Sequence, residues 1–232
     1  MTDDPGLTLA RTNREKNLYI AGIVIAMVAM FVFSMGMRYI HVSLLDRLFY
    51  SRFIYWTVTA FLFFYASKIE RQPLLIWEKK GNDIGFFIIA VFVLYLISFA
   101  CGIVSAIPRL FGFHENDAVL KLFRKVLTGH DGLIIFMSLT AGVTEELIFR
   151  GYILSRLALR TGKPYLALVI SAILFSSLHY GFHSLQELIF TFLIGIVFGL
   201  FYLKYRNIKV LITVHFLIDL INMELATHLL KK

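Results

Sequence analysis

Three polar clusters interrupt otherwise apolar stretches of this chain. They are Glu145-Glu146 with Arg150, His179 four residues after Phe175, and His215 four residues before Asp219. A charged side chain at the centre of a membrane helix costs about 2.5–3.5 kcal/mol on insertion scales. Several of them in successive spans are therefore expected to turn toward one another. A carboxylate to take a proton, imidazoles to share it and polar donors for a developing oxyanion are what peptide hydrolysis requires. These residue types in this order predict an intramembrane protease.

Spacing gives the two glutamates different parts. Glu146 and Arg150 are four apart, in the order that favours an ion pair on one helix face, and this pair is expected to be mainly structural. Glu145 is rotated about 100° from its neighbour and is free to face His179. His215 and Asp219 also share a face. Either both donate to an oxyanion, or Asp219 orients the imidazole. Phe175 either shields the site or simply packs in the core.

The elements that must position these groups are membrane spans. The chain has 232 residues, 59% hydrophobic and 16% charged, with a mean hydropathy of +0.77. A soluble domain is nearer to about 45–50% apolar and 25% charged. The expected fold is all-α, a polytopic transmembrane bundle. Its spans fall at roughly 18–37, 50–67, 84–105, 131–158, 165–182, 185–203 and 208–228, seven in all by the usual length requirement. The reading divides the chain into a cytoplasmic tail (1–17), amino-terminal spans with an interfacial helix (18–130) and a catalytic core (131–232).

That interfacial helix is expected over Asn116 to Thr128. Val119, Leu120, Phe123, Val126 and Leu127 recur on one side, with Lys121, Arg124 and Lys125 on the other. The pattern predicts an amphipathic helix lying on the membrane surface, capped by Asn116 or Asp117 and ended by Gly129. The first span follows Arg11, Arg14 and Lys16 and is long enough to serve as a retained anchor rather than a cleaved signal. Cys101 stands alone, which excludes an intrachain disulfide and a Cys-rich zinc site.

The net charge of +8 is scattered between apolar runs without a basic stripe, so no nucleic-acid partner is expected. Lys and Arg instead read as loop charges that set orientation. Arg156, Arg160, Lys163, Lys204, Arg206 and Lys209 carry the clearest bias, and they place the amino terminus in the cytoplasm of a cell-membrane protein.

Depth supports a shared site. Gly162 and Pro164 should end a single helix from Gly132 to Arg160, putting Glu145 about 22 Å from the cytoplasmic end at 1.5 Å per residue. His179 lies about 21 Å into the next, antiparallel helix by the same rise. His215 and Asp219 come out at about 9 and 15 Å. The last helix must therefore tilt, begin deeper or meet a water-filled cavity.

The motifs Glu145-Glu146-Leu147-Ile148-Phe149-Arg150, Phe175-Ser176-Ser177-Leu178-His179 and His215-Phe216-Leu217-Ile218-Asp219 resemble the CPBP family of intramembrane proteases. That is the CaaX prenyl endopeptidase-like or Abi family, whose set is EExxxR, FxxxH and HxxxN or HxxxD. Thr144 and Gly151-Tyr152 are also similar to the family, and the resemblance covers about residues 135–222. It implies that Glu145 and His179 activate water while His215 and residue 219 stabilise the oxyanion. Asp219 stands where the eukaryotic prenyl endopeptidases carry Asn, and Asn222 is an alternative amide.

A second route makes Glu145, His179 and His215 the ligands of a catalytic zinc, Zn being the one cofactor implied. A metal-free glutamate route fits the same residues and is preferred here. The partners implied are the lipid bilayer and a membrane-bound peptide or protein substrate. Two readings from other classes compete. A non-catalytic immunity or scaffold protein has no use for the complete Glu-Glu-Arg-His-His set. A proton-coupled transporter would use these groups as a relay, but with inverted repeats and broken helices.

Overall fold

A computed structural model describes residues 12–39, 41–77, 83–113 and 118–228. Eight helices follow one another: α1 (Asn13–Gly36), α2 (Leu44–Phe64), α3 (Ile84–Ser105), α4 (Ala118–Leu127), α5 (Asp131–Thr161), α6 (Pro164–Ser177), α7 (Leu185–Tyr205) and α8 (Ile208–His228). No strand occurs among the described residues. Arg11, which precedes the first expected span, and the expected caps Asn116 and Asp117 lie outside them.

Local chemistry sets the helix ends. Thr12 and Glu15 form a capping box at α1, so Arg14 and Lys16 belong to its first turn rather than to a tail. Ser43, Asp83 and Ser184 cap α2, α3 and α7 through their side chains, each satisfying an otherwise orphan backbone N–H. Gly162, with φ +65°, closes α5, and Pro164 opens α6.

Six of the helices are long and apolar enough to cross a membrane, and the chain is an integral, multi-pass membrane protein. The second expected span is present as α2, but Asp46, Arg47 and Arg52 in its first half make it less apolar than those six. Large side chains such as Ile88, Phe92, Phe99, Phe31 and Val32 are exposed on the outer faces of α3 and α1, as lipid-facing surfaces require. One apolar core joins both halves of the chain, running from Ile23, Leu62 and Leu94 to Tyr152, Phe198 and Leu211.

α4 packs onto the bundle. Phe123, Val126 and Leu127 sit against Leu48, Ile134 and Met137, while Lys121 and Lys125 are exposed. Gly129 ends that segment with φ +83°, as its position predicted.

α5 is the central element, and it is not uniform. Its helix from Asp131 to Glu146 passes into a π-helical stretch over Leu147–Leu154 before closing with Ser155–Thr161. Such wide turns are uncommon and concentrate at functional sites. The backbone of α8 comes very close to α5: a Cβ added at Gly142 would lie 3.0 Å from both Ile212 O and Phe216 N. Gly195 gives α7 the same freedom against Ala172 of α6. Small residues at crossings let membrane helices approach to backbone contact.

Arg156 corrects the sequence reading. It is no loop charge but a buried side chain, donating from Nε and Nη2 to Glu70 Oε2 at 3.1 and 2.9 Å. It also donates to the carbonyls of Pro73 and Leu74. Tyr152 donates to Glu70 Oε1 at 2.6 Å. Breaking this pair strands a buried charge. Arg156→Ala or Glu70→Ala should therefore lower stability by about 3–5 kcal/mol, read as a lower melting temperature in detergent. Gly142→Leu should separate α5 from α8 and lower it as well; unchanged melting in either case would contradict the packing described.

Candidate active site

All three motifs converge on the crossing of α5, α6 and α8. Glu146 lies at its centre with a fully buried side chain. Its Oε1 accepts from Arg150 Nη1 at 2.8 Å and from His215 Nδ1, also at 2.8 Å. A carboxylate oxygen already holding a guanidinium can only accept, so His215 Nδ1 carries a proton and Nε2 points away from Glu146. The expected Glu146–Arg150 pair is thus present, and Glu146 has a second duty that spacing did not show: it fixes the imidazole of α8.

Arg150 is held on every side. Nη2 donates to Ile194 O of α7 at 3.3 Å, and the guanidinium carbon lies 4.5 Å from the Phe175 ring centre and 5.3 Å from that of Phe198. Aromatic faces attract a cation that has been removed from water. Phe175 answers both of its expected roles. It is buried, stacks edge-on against Phe149 and His179 at 5.0 Å, and approaches His215 at 6.3 Å.

His215 Nε2 faces two more carboxylates, Asp219 Oδ2 at 3.6 Å and Glu145 Oε2 at 3.9 Å. Both separations exceed direct hydrogen-bond length and match a bridged arrangement. Glu145 Oε2 is buried and has no hydrogen-bond partner among the described residues. Sequence spacing aimed Glu145 at His179; in the structure it also stands beside His215, a proximity that spacing did not indicate.

His179 lies just past the end of α6, in the 3₁₀ turn Leu178–Phe182, where its Nδ1 donates to Phe175 O at 3.1 Å. It joins the cluster through Asp219, whose electrostatic neighbours are His215, Glu145, Glu187 and His179. Side-chain exposure rises outward from the centre: Glu146 0%, Glu145 9%, His215 10% and Asp219 25%. The site opens toward Asp219.

His215 and Glu146 meet side by side across α8 and α5, and Asn207, Ile208, Val210 and Leu211, at the start of α8, are buried in the bundle. Asn222 is exposed, and no hydrogen bond joins it to the cluster among the described residues. Sequence reasoning missed the carbonyl of Ile194, the Phe198 ring and Glu187. Only Glu187 left a signal, as a lone acid in the first turn of a span.

Among the described residues, no group of three or more His, Cys, Asp or Glu is arranged to hold a metal ion.

Residues 132–221 match a family profile described as Rce1-like, Type II CAAX prenyl endopeptidase Rce1-like. That segment contains all three motifs. Uncharacterized protein YpbD of Bacillus subtilis (strain 168) is similar at 28% identity over 171 residues, 72% of this chain and 80% of that protein. No solved structure matches the chain. The family match thus covers the segment that carries the three motifs.

The geometry separates two classes of substitution. Glu146→Ala strands Arg150 and releases His215, and Arg150→Ala strands Glu146. Each should cost about 3–5 kcal/mol and lower both melting temperature and protein level. Glu145→Gln breaks no hydrogen bond among the described residues and keeps the size of the side chain, and should leave melting within about 2 °C of wild type.

Proposed function

We propose, from the Rce1-like family match of residues 132–221, that the chain is an intramembrane endopeptidase of the glutamate type. It hydrolyses a peptide bond of a membrane-associated protein or peptide. One observation carries the mechanism: a buried carboxylate oxygen without a hydrogen-bond partner, Glu145 Oε2, stands 3.9 Å from His215 Nε2. The gap suits a water or a substrate oxygen bridging base and donor.

In this reading Glu145 takes a proton from water as the water oxygen bonds to the scissile carbonyl carbon. The carbonyl π electrons move to its oxygen. His215, held through Nδ1 by Glu146 and donating from Nε2, stabilises that oxyanion. The proton taken by Glu145 and shared with His179 then passes to the leaving amine as the C–N bond breaks and the oxyanion electron pair re-forms the carbonyl. Phe149, Phe175 and Phe198 line the inner side and limit water to the reacting face, which strengthens each electrostatic contact.

Asp219 is too far from Nε2 to hold the ring by a hydrogen bond, while Glu146 holds it at 2.8 Å. Asp219 therefore acts as a charge partner for His215, and orientation belongs to Glu146. The cytoplasmic amino terminus and the cell-membrane location are parts of the same proposal, resting on the Lys and Arg distribution.

The test compares membrane-protein termini by mass spectrometry in cells carrying wild type or Glu145→Gln. Termini that disappear with the variant support the endopeptidase and name the cleaved bond. An unchanged set of termini, at equal protein level, sinks the reading. Asp219→Asn should keep at least a tenth of the wild-type cleavage; complete loss would return the orienting role to Asp219.

A further inference from the structure

The π-helical stretch Leu147–Leu154 carries Arg150, and a second helix holds it. Ser171 of α6 is buried and donates from Oγ to the carbonyl of Phe149 at 3.1 Å. That carbonyl belongs to the residue just before Arg150. Thr144, Ser155 and Thr191 bond back to carbonyls four residues earlier in their own helices. Ser171 instead reaches 22 residues back along the chain, to another helix.

The winding of this stretch decides where Arg150 points. In a regular α-helix residue 150 would lie about 40° past residue 146, since four residues exceed one turn of about 3.6. A turn closed by i→i+5 bonds needs more than four residues, so Arg150 leaves α5 in a different direction. In that direction Nη1 meets Glu146 Oε1 at 2.8 Å and Nη2 meets Ile194 O at 3.3 Å. Glu146 in turn holds His215 Nδ1 at 2.8 Å. A continuous series of contacts thus joins Ser171 to the imidazole, through a segment whose winding is irregular. Next to Ser171, Ala172 meets Gly195 of α7 at backbone distance, which leaves this part of α6 little room to drift.

We propose that Ser171 is a positioning residue of this site: its hydroxyl holds the Phe149 carbonyl, and with it the wide turn that aims Arg150 at Glu146. The inference rests on the endopeptidase reading for its kinetic consequence and adds to it a serine outside the three motifs. Ser171 touches no reacting atom. It acts through Arg150 and Glu146 on the direction of His215 Nε2, and no bond or proton changes at Ser171 during the reaction.

The experiment uses the full chain in proteoliposomes and, as substrate, the peptide segment around a terminus that disappears with Glu145→Gln. Ser171→Ala removes the hydroxyl and nearly preserves the packing of α6. It should lower kcat about tenfold with KM within twofold, since small misplacements of a reacting group carry a large kinetic cost. Melting should fall by no more than about 4 °C, the worth of one neutral hydrogen bond in a chain of this size. Ser176→Ala is the comparison. Ser176 Oγ also donates from α6 to another helix, to Leu188 O of α7 at 2.8 Å, but does not touch the segment of Arg150. There kcat should stay within about threefold at a similar fall in melting.

A second measurement needs no substrate. The NMR signal of the His215 Nδ1 proton, identified by its loss in His215→Gln, should shift in Ser171→Ala and stay in place in Ser176→Ala. Wild-type kcat in Ser171→Ala, an equal fall in Ser176→Ala or an unmoved His215 signal overturns the assignment. If Glu145→Gln leaves every terminus in place while the His215 signal still shifts in Ser171→Ala, the endopeptidase reading fails and the positioning by Ser171 stands.

Discussion

One carboxylate oxygen organises this protein. Glu146 Oε1 accepts from Arg150 and from His215 in the same buried space, so a residue of α5 fixes both its own helix neighbour and the imidazole of α8. A buried charge is tolerated only when its partners are in place. The requirement couples packing to chemistry: if α8 moved away, Glu146 would lose one donor and His215 its anchor. The aromatic faces of Phe175 and Phe198 and the carbonyl of Ile194 complete the shell from α6 and α7, and four helices are thereby tied to a single ionic group.

Such a centre needs helices closer than large side chains permit. Gly142 is where α5 and α8 meet, with the backbone of Phe216 directly opposite, one residue from His215. Gly195 does the same for α6 and α7. In lipid there is little hydrophobic gain from bringing helices together, so small residues and buried polar contacts must do it. Here the two devices coincide.

Much of this was legible in the sequence because periodicity is a strong signal. Four-residue spacing put Glu146 with Arg150 and His215 with Asp219, and the apolar runs marked the helices. The aim of Glu145 was not legible. Its proximity to His215 depends on where α8 crosses α5, which the close approach at Gly142 sets, and on the passage into π-helix just after Glu146. Burial of Arg156 was hidden for a similar reason. Its partner Glu70 is 86 residues away, and nothing local tells a paired arginine near a span end from a loop charge. The bond from Trp56 Nε1 of α2 to Thr140 Oγ1 of α5 was invisible too, since aromatic residues such as Tyr55 and Trp56 read equally well as lipid anchors.

The two buried ionic networks along α5 differ in a way that assigns their roles. In the Glu70–Arg156–Tyr152 network both carboxylate oxygens are bonded and Arg156 is used up on Glu70 and two carbonyls. Everything is satisfied, and such a network rigidifies. In the Glu145–Glu146–His215 network two carboxylate oxygens remain without hydrogen-bond partners, and Nε2 of His215 stands off from both facing acids. Unsatisfied buried groups are expensive, so they persist where something else is to be bound. The complete network is a clasp that holds the segment from Glu70 to Leu74, just beyond α2, against α5. The incomplete one is left open toward Asp219, and that difference, rather than the mere presence of charge in a membrane helix, is what the proposed chemistry rests on.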